Sequence, residues 1–365
     1  MKFKAVPLKQ SEKSTYLCTV TFKEVAEIFG LADSTTDVEK RHQRPCSERR
    51  AGEVADYILN NYAAGHSYVL PPIVASLGDK FTYKDGFILF DQKTEILIND
   101  GQHRHRGIQI AINENPQLED QEIGVWLIPD VGLIQAQQIF SDINKNAKTP
   151  PRSLNLIFDH RSTDVLLTKR VKNSVKLFSQ FTESEKGQAT KGKLFVFAAL
   201  HKAVCYMNDA LVDRGILADK QTPMIVSFWN NLCNSIPQWE AIANYLEEAD
   251  GSEIALQKLY TDLEITKKET IAFHNGLIGC LGRIGAEMIQ KMPDNEQYFD
   301  YFEKRLSPLS SFDFSKNNYQ FTQKGIVVVG AKDRLRAVNS TSSRQELLLL
   351  LRQHLKLAPK QLEFA

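Results

Sequence analysis

The chain has 365 residues, 42% hydrophobic and 24% charged, a balance that suits packed globular structure and argues against disorder. Its 45 basic and 44 acidic side chains leave a net charge of +1, so the global field does not mark it for nucleic acid, and a polyanion would have to be met by local clusters. The scattered cysteines Cys18, Cys46, Cys205, Cys233 and Cys280 fit neither a disulfide framework nor a zinc ribbon, and the purest apolar run, Leu194 to Leu200, falls far short of the roughly 20 residues of a membrane span; the expectation is reduced thiols in a cytoplasmic protein, neither secreted nor membrane-embedded.

Tyr16 to Phe22 alternates and is β-branched enough for a strand, and EVAEIFG suggests a short helix closed by Gly30. In RHQRPCSERRAGEVADYILNNY, Val54, Ile58 and Tyr62 recur at helical spacing behind a Ser47 cap, which puts arginines at the head of an amphipathic helix. Ile73 to Leu77, after two prolines, then Phe87 to Phe90, Ile96 to Ile98 and Gly124 to Ile128 read as strands. Leu133 to Asn144 is helical, Pro150-Pro151 breaks the chain, and from there to about Lys291 helical spacing recurs almost without strand signals. In the tail, Gly325 to Gly330 looks like a buried strand and Ser343 to Leu355 like a leucine-rich helix, whose stripe suits core or a homodimer surface better than a dock for a modification enzyme. With no internal repeat or low-complexity linker, the parts are expected to pack as one α/β (α+β) body: a domain over 1–150, a helical domain over 151–305 and a C-terminal strand-helix extension over 306–365.

The densest polar stretch is Asp100-Gly101-Gln102-His103-Arg104, directly after the apolar run that ends at Ile98. If that run is a buried strand, Asp100 can cap the following helix, and Gly101 allows a tight turn. Gln102, His103 and Arg104 then fill the first helical turn, where unpaired N–H groups and the dipole favour an anion. Arg104 can grip a phosphate through paired hydrogen bonds, and Arg106 adds charge on another face. The bland alternative is a capped helix start facing water. His103 and His105 diverge by about 200° on a helix, and no nearby cysteine completes a set, so metal is not expected there.

INDGQHR resembles the DGQHR-domain family of DNA phosphorothioate modification systems, which is similar to the ParB-like superfamily. Two further stretches match in order: Gln43-Arg44-Pro45 with Ser47 and Arg50 ahead of the Ile58/Tyr62 helix, and Ile139 to Lys148, FSDINKNAK after its first residue. The three cover residues 41 to 150, and the total length extends the likeness along the chain. The resemblance implies a ParB-like N-terminal domain with a small mixed sheet. It also implies a repressor of the modification operon that binds double-stranded promoter DNA, with other phosphorothioation proteins and a homo-oligomer as expected partners. Because related DGQQR-type and ParB-like proteins couple nucleotides to DNA action, it offers an enzymatic alternative as well. In that role Asp100, Gln102, His103 and Arg104 would be catalytic with a nucleotide and Mg2+, and Gly101, Arg104, Asn144 and Lys148 would hold the phosphates. A nuclease finds no paired-carboxylate motif to support it.

Two basic clusters are candidate DNA contacts, with a solvated helix face as the plain alternative for each. The first holds Arg41, Arg44, Arg49 and Arg50. The second runs from Lys169 to Lys193 and includes Arg170, Lys172, Lys176, Lys186 and Lys191, with Ser184 to Gly192 expected to be a flexible basic loop. Gly187 to Lys193 also fits the P-loop spacing, but Leu194 stands where a magnesium-binding hydroxyl belongs and a polar stretch precedes it, so a P-loop is not expected. No base-reading element is legible.

Overall fold

A computed structural model describes residues 1–10, 14–30, 46–77, 81–91, 94, 96–129, 132–146, 149–248, 253–294 and 296–357. The chain forms two compact units, Met1–Lys148 and Thr149–Ala365. Arg41, Arg44 and Lys148 lie outside the described residues.

The first unit is an α/β layer in the order β1 (Lys2–Lys9), β2 (Ser14–Thr21), α1 (Phe22–Ile28), β3 (Phe29–Gly30), α2 (Glu48–Ala63), β4 (Ile73–Leu77), β5 (Phe81–Lys84), β6 (Phe87–Phe90), β7 (Ile96–Asp100), α3 (Gln102–Glu114), β8 (Glu122–Pro129) and α4 (Gly132–Asn146). The strands make one eight-stranded mixed sheet, β3-β7-β4-β8-β2-β1-β6-β5; β4–β8 and β3–β7 are parallel and the other pairs antiparallel. Period-two alternation sends Cys18 and Val20 of β2, Ile123, Val125 and Leu127 of β8, and Ile96 and Ile98 of β7 into a core with Val25 of α1, Ile58 of α2 and Ile108 of α3. The helices therefore cover one face, and Val6, Leu17 and Leu89 remain exposed.

This sheet has three strands beyond those legible in the sequence. In β1, lysines and Pro7 mask the alternation of buried Phe3 and Ala5. Pro7 is tolerated because it lies past the Lys2–Lys4 stretch paired with β6. Gly30 does not close α1, which stops at Ile28. Phe29 turns extended, its ring stacks on Phe3 at 6.1 Å, and Phe29-Gly30 pairs with Ile96-Leu97.

The second unit is mainly helical: α5 (Arg152–Phe158), α6 (Thr163–Ser174), α7 (Lys176–Phe181), β9 (Thr182–Glu183), β10 (Phe195–Val196), α8 (Phe197–Asp213), α9 (Ala218–Ser235), α10 (Pro237–Glu248), α11 (Glu253–Glu269), α12 (Asn275–Lys291), α13 (Tyr298–Leu306), α14 (Tyr319–Gln323), β11 (Val327–Val329), β12 (Leu335–Ala337) and α15 (Thr341–His354). Its core is aromatic, with Phe178 edge-on to Phe195 and Trp229, and the Trp239 indole N–H donating to the Ala272 carbonyl at 3.0 Å. Leu347, Leu348, Leu350 and Leu351 of α15 join that core, so the leucine stripe packs within its own unit. The tail strand is not buried as a whole: β11 pairs only with β12, and Val327 alone points inward while Val328 and Val329 are exposed. Among the described residues no helix is long and apolar enough to cross a membrane.

Candidate functional site

The strand β7 is anchored by buried Ile96, Ile98 and Asn99, whose amide donates to Ser76 Oγ at 2.7 Å. Asp100 ends the strand, and a bulge between Val74 and Ala75 on β4 lies opposite. Gly101 follows at φ +108° and is the N-cap of α3. A Cβ there would lie 3.0 Å from Arg104 Nη2 and 3.1 Å from Ile73 Cγ1, so conformation and space both require glycine.

Asp100 does not cap the helix, contrary to the sequence expectation: no side chain caps α3. The left-handed Gly101 takes the cap position, and the Asp100 carboxylate instead accepts from Arg104 Nη2 at 2.6 Å, one turn along the same face. Arg104 Nη2 also donates to the Pro72 carbonyl at 3.2 Å, while its buried Nε has no protein partner among the described residues. With Asp100 24% and Arg104 20% exposed, the pair is half-shielded from water. Gln102 points into the core, its Nε2 unpartnered.

The two histidines serve different neighbours. His103 Nε2 accepts the backbone N–H of Ser47 at 3.1 Å, and Ser47 Oγ in turn caps α2 at the Arg50 N–H. That nitrogen thus holds the entry to α2, and its lone pair is engaged. His105 is buried near the carbonyls of Val25 and Phe29 without a well-formed hydrogen bond, and burial is the main cause of its pKa being pushed down to about 4. Two close contacts fix α2 against α3: Arg106 Nε spans both Glu48 oxygens at 3.3 and 3.2 Å, and a Cβ on Gly107 would lie 2.7 Å from Val54. Among the described residues no three His, Cys, Asp or Glu side chains are grouped to hold a metal ion.

Beside the turn opens a cleft of about 510 Å³ whose walls include Arg50, Glu53, Tyr57, Leu70, His103 and Arg104. Arg49 is turned to Glu53 in an exposed ion pair, so Arg50 and Arg104 bring the cations to the cleft. Asn144 is exposed on α4, and its amide donates back to the Phe140 carbonyl at 2.8 Å.

In the helical unit, the second basic cluster has a distinctive set of partners. Lys169 donates to the Asp159 carbonyl at 3.1 Å, Lys176 to the Leu246 carbonyl at 3.1 Å and Lys193 to the Gln180 carbonyl at 2.8 Å. Among the described residues Lys172 makes one long contact, 3.5 Å to the Asn173 side-chain oxygen, and partial burial, with Lys193 beside it, holds its ammonium below the ordinary lysine value. Arg170, Lys186 and Lys191 are exposed. These seven side chains are anchored by neutral oxygens or reach solvent, and among the described residues none forms an ion pair with a carboxylate.

The loop between β9 and β10 is pinned rather than the flexible arm its composition suggests. Buried Glu183 accepts the amides of Glu185 at 2.9 Å and Lys186 at 3.3 Å and the Thr190 hydroxyl, and Gly192 N–H donates to Glu264 at 3.3 Å. Burial pushes the Glu183 carboxyl up, but Thr190 and the two amides outweigh it and hold it below the usual range. An internal carboxylate thus occupies the amide nest that a phosphate would need, and α8 begins only at Phe197, so Lys193 is not at a helix start and a P-loop is excluded. Glu183 carried no sequence signal, because its partners are amides that any residue supplies.

A mixed sheet bearing DGQHR at a strand-to-helix turn, followed along the chain by a cationic helical unit, defines a DGQHR-type α/β protein. Residues 3–358 match the model of the DndB family, described as DNA-sulfur modification-associated, and the chain belongs to that family. No curated protein and no solved structure matches it.

Proposed function

We propose that this protein binds double-stranded promoter DNA as a repressor of a DNA phosphorothioate modification operon. The observation that carries the reading is the lysine set of the helical unit: Lys169, Lys172, Lys176 and Lys193 are held in place by carbonyl and amide oxygens, which orient the ammonium groups without neutralising them. Such charges attract a polyanion, and a protein whose family is tied to DNA-sulfur modification has DNA at hand. Arg170 and Lys191 extend the set, and Arg50 with Arg104 supplies a second contact region at the cleft of the DGQHR turn. Arg104 is already paired with Asp100, so its first role is to hold the turn, and a phosphate there would have to compete with a carboxylate.

The test is an anisotropy titration of promoter duplex across a salt series. Removing one phosphate-binding cation lowers the slope of log K against log salt by about 0.9, so replacing Lys169, Lys172, Lys191 and Lys193 together by Gln should flatten it by roughly 3 to 4. A repressor also predicts that deleting the gene raises expression from its own operon promoter. No duplex binding at low salt, or an unchanged slope in the fourfold variant, refutes the proposal.

A further inference from the structure

A cavity of about 350 Å³ opens among α8, α12 and the start of α15, all within the helical unit. Three cations line it, one from each helix: Lys202, Arg283 and Arg344. Among the described residues no carboxylate lines it, and none of the three cations is in an ion pair. Their protein contacts are weak and neutral. Arg283 Nη2 reaches the Tyr206 hydroxyl at 3.4 Å and its guanidinium stands 5.0 Å from that ring, Lys202 lies 5.9 Å from the same ring, and Arg344 Nη2 reaches Thr341 Oγ1 at 3.4 Å.

Among the described residues, carboxylates line the adjoining groove and not the cavity itself. Asp209 and Asp213 line a neighbouring groove that shares Tyr206 and Arg283 with the cavity, and Glu287 in that groove is bound by Lys291 at 2.8 Å and Arg352 at 2.9 Å. Asn275 and Thr341, the first residues of α12 and α15, also border the cavity, so the positive ends of two helix dipoles add to the three charges. The Tyr206 hydroxyl registers the field: burial raises its pKa, but Arg283 and Lys202 outweigh this and leave it below the ordinary tyrosine value. Val196, Ala199 and Leu348 provide apolar wall.

Three unneutralised cations facing one partly enclosed space with an aromatic face beside them suit an anion attached to an organic group. The volume sits at the small end of the range for small-molecule pockets, room for a single nucleotide rather than a polymer. We propose that this cavity binds a phosphate-bearing small molecule of mononucleotide size, with its phosphate among Lys202, Arg283 and Arg344 and its organic part against Tyr206 and Leu348. The site is built without any residue of the DGQHR turn and stands independently of the DNA-binding reading.

Isothermal titration of the full chain with inorganic phosphate, AMP, ATP and a short DNA duplex tests it. AMP or ATP should bind, with inorganic phosphate weaker, and Arg283→Gln or Arg344→Gln should weaken nucleotide binding by about tenfold, the scale of one charge-assisted hydrogen bond. Arg104→Ala should leave it unchanged. Gly279 lines the cavity on α12 and a Cβ there meets nothing within 4 Å, so Gly279→Phe should block binding while the fold, checked by circular dichroism, persists. The proposal fails if no phosphate probe binds at about 1 mM. It fails equally if binding follows Arg104 instead of Arg283, or if the duplex displaces AMP through Arg283, which would make the cavity a DNA contact.

Discussion

Two glycines on α12, Gly279 and Gly282, give a controlled test of the packing. Each Gly→Ala change adds the same methyl and recovers about 1 kcal/mol of helix propensity. The surroundings differ: a Cβ at Gly279 meets nothing within 4 Å, whereas at Gly282 it would lie 2.5 Å from Ala203 Cα and Cβ and 2.7 Å from the Ala203 carbonyl oxygen. Those atoms are backbone and a methyl of α8, which have no rotamer by which to retreat, so the two helices must separate. Overpacking of this kind costs typically 1–3 kcal/mol and occasionally more, and contacts under 3 Å with backbone place Gly282→Ala at the upper end, about 2 kcal/mol net once propensity is subtracted. For a unit of this size 1 kcal/mol moves the midpoint by roughly 2–4 °C. Gly279→Ala should therefore raise the thermal midpoint of the helical unit by about 2–4 °C and Gly282→Ala should lower it by about 4–8 °C, read by scanning calorimetry. Equal shifts, or a Gly282→Ala midpoint at or above the parent's, would refute the close crossing of α8 and α12.

At the DGQHR turn, a double-mutant cycle of Asp100→Ala and Arg104→Ala, read by hydrogen exchange of the β7–α3 peptide, should give a coupling of about 1–2 kcal/mol after discounting for partial exposure; a coupling near zero would mean that the ion pair does not hold the turn. Arg104→Ala alone should cost more than Asp100→Ala, because it also deprives the Pro72 carbonyl of its donor. His105 supplies an acid-sensitive term. Its folded pKa of about 4 lies below the unfolded value of about 6.5, so the neutral ring's contribution is present above pH 6.5 and is lost as pH falls toward 4, by about 3 kcal/mol in all. Thermal midpoints between pH 7.5 and 4.5 should fall less in His105→Leu than in the parent, with residual sensitivity from His201 and His274, which burial shifts the same way; parallel profiles would contradict this. Thiol reagents should label Cys46 in the native protein well before Cys18, Cys233 and Cys280, whose burial pushes each thiol up to about 12.

Much of this architecture is written in consecutive residues. Ser47 ahead of Val54, Ile58 and Tyr62 marks α2 with its cap, and Ile96 to Ile98 followed by Asp100-Gly101 marks the strand, a tight turn and the helix start, to which the structure adds two more strand residues and the left-handed glycine. Period and turn chemistry are local, acting over a few residues, so reading order suffices to find them. DGQHR together with the QRP and FSDIN stretches also sufficed to place the chain in its family.

What the order of residues could not show is which groups meet. Asp100 looked like a cap until the cap position fell to Gly101, and the choice of Arg104 as its partner depends on the curvature of a turn measured in ångströms. The β1 strand is hidden by lysines that face water on an open sheet face. The basic loop after β9 is tied down by a carboxylate at its own base. Lys202, Arg283 and Arg344 are ordinary helix-surface cations along the chain, separated by scores of residues, and become one cationic cavity only because α8, α12 and α15 pack together. Local sequence determined most of the elements and the family, whereas the strands it masks and the pairing of charges were decided by tertiary packing, because strand, Coulomb and hydrogen-bond partners are set by distance in space and not along the chain.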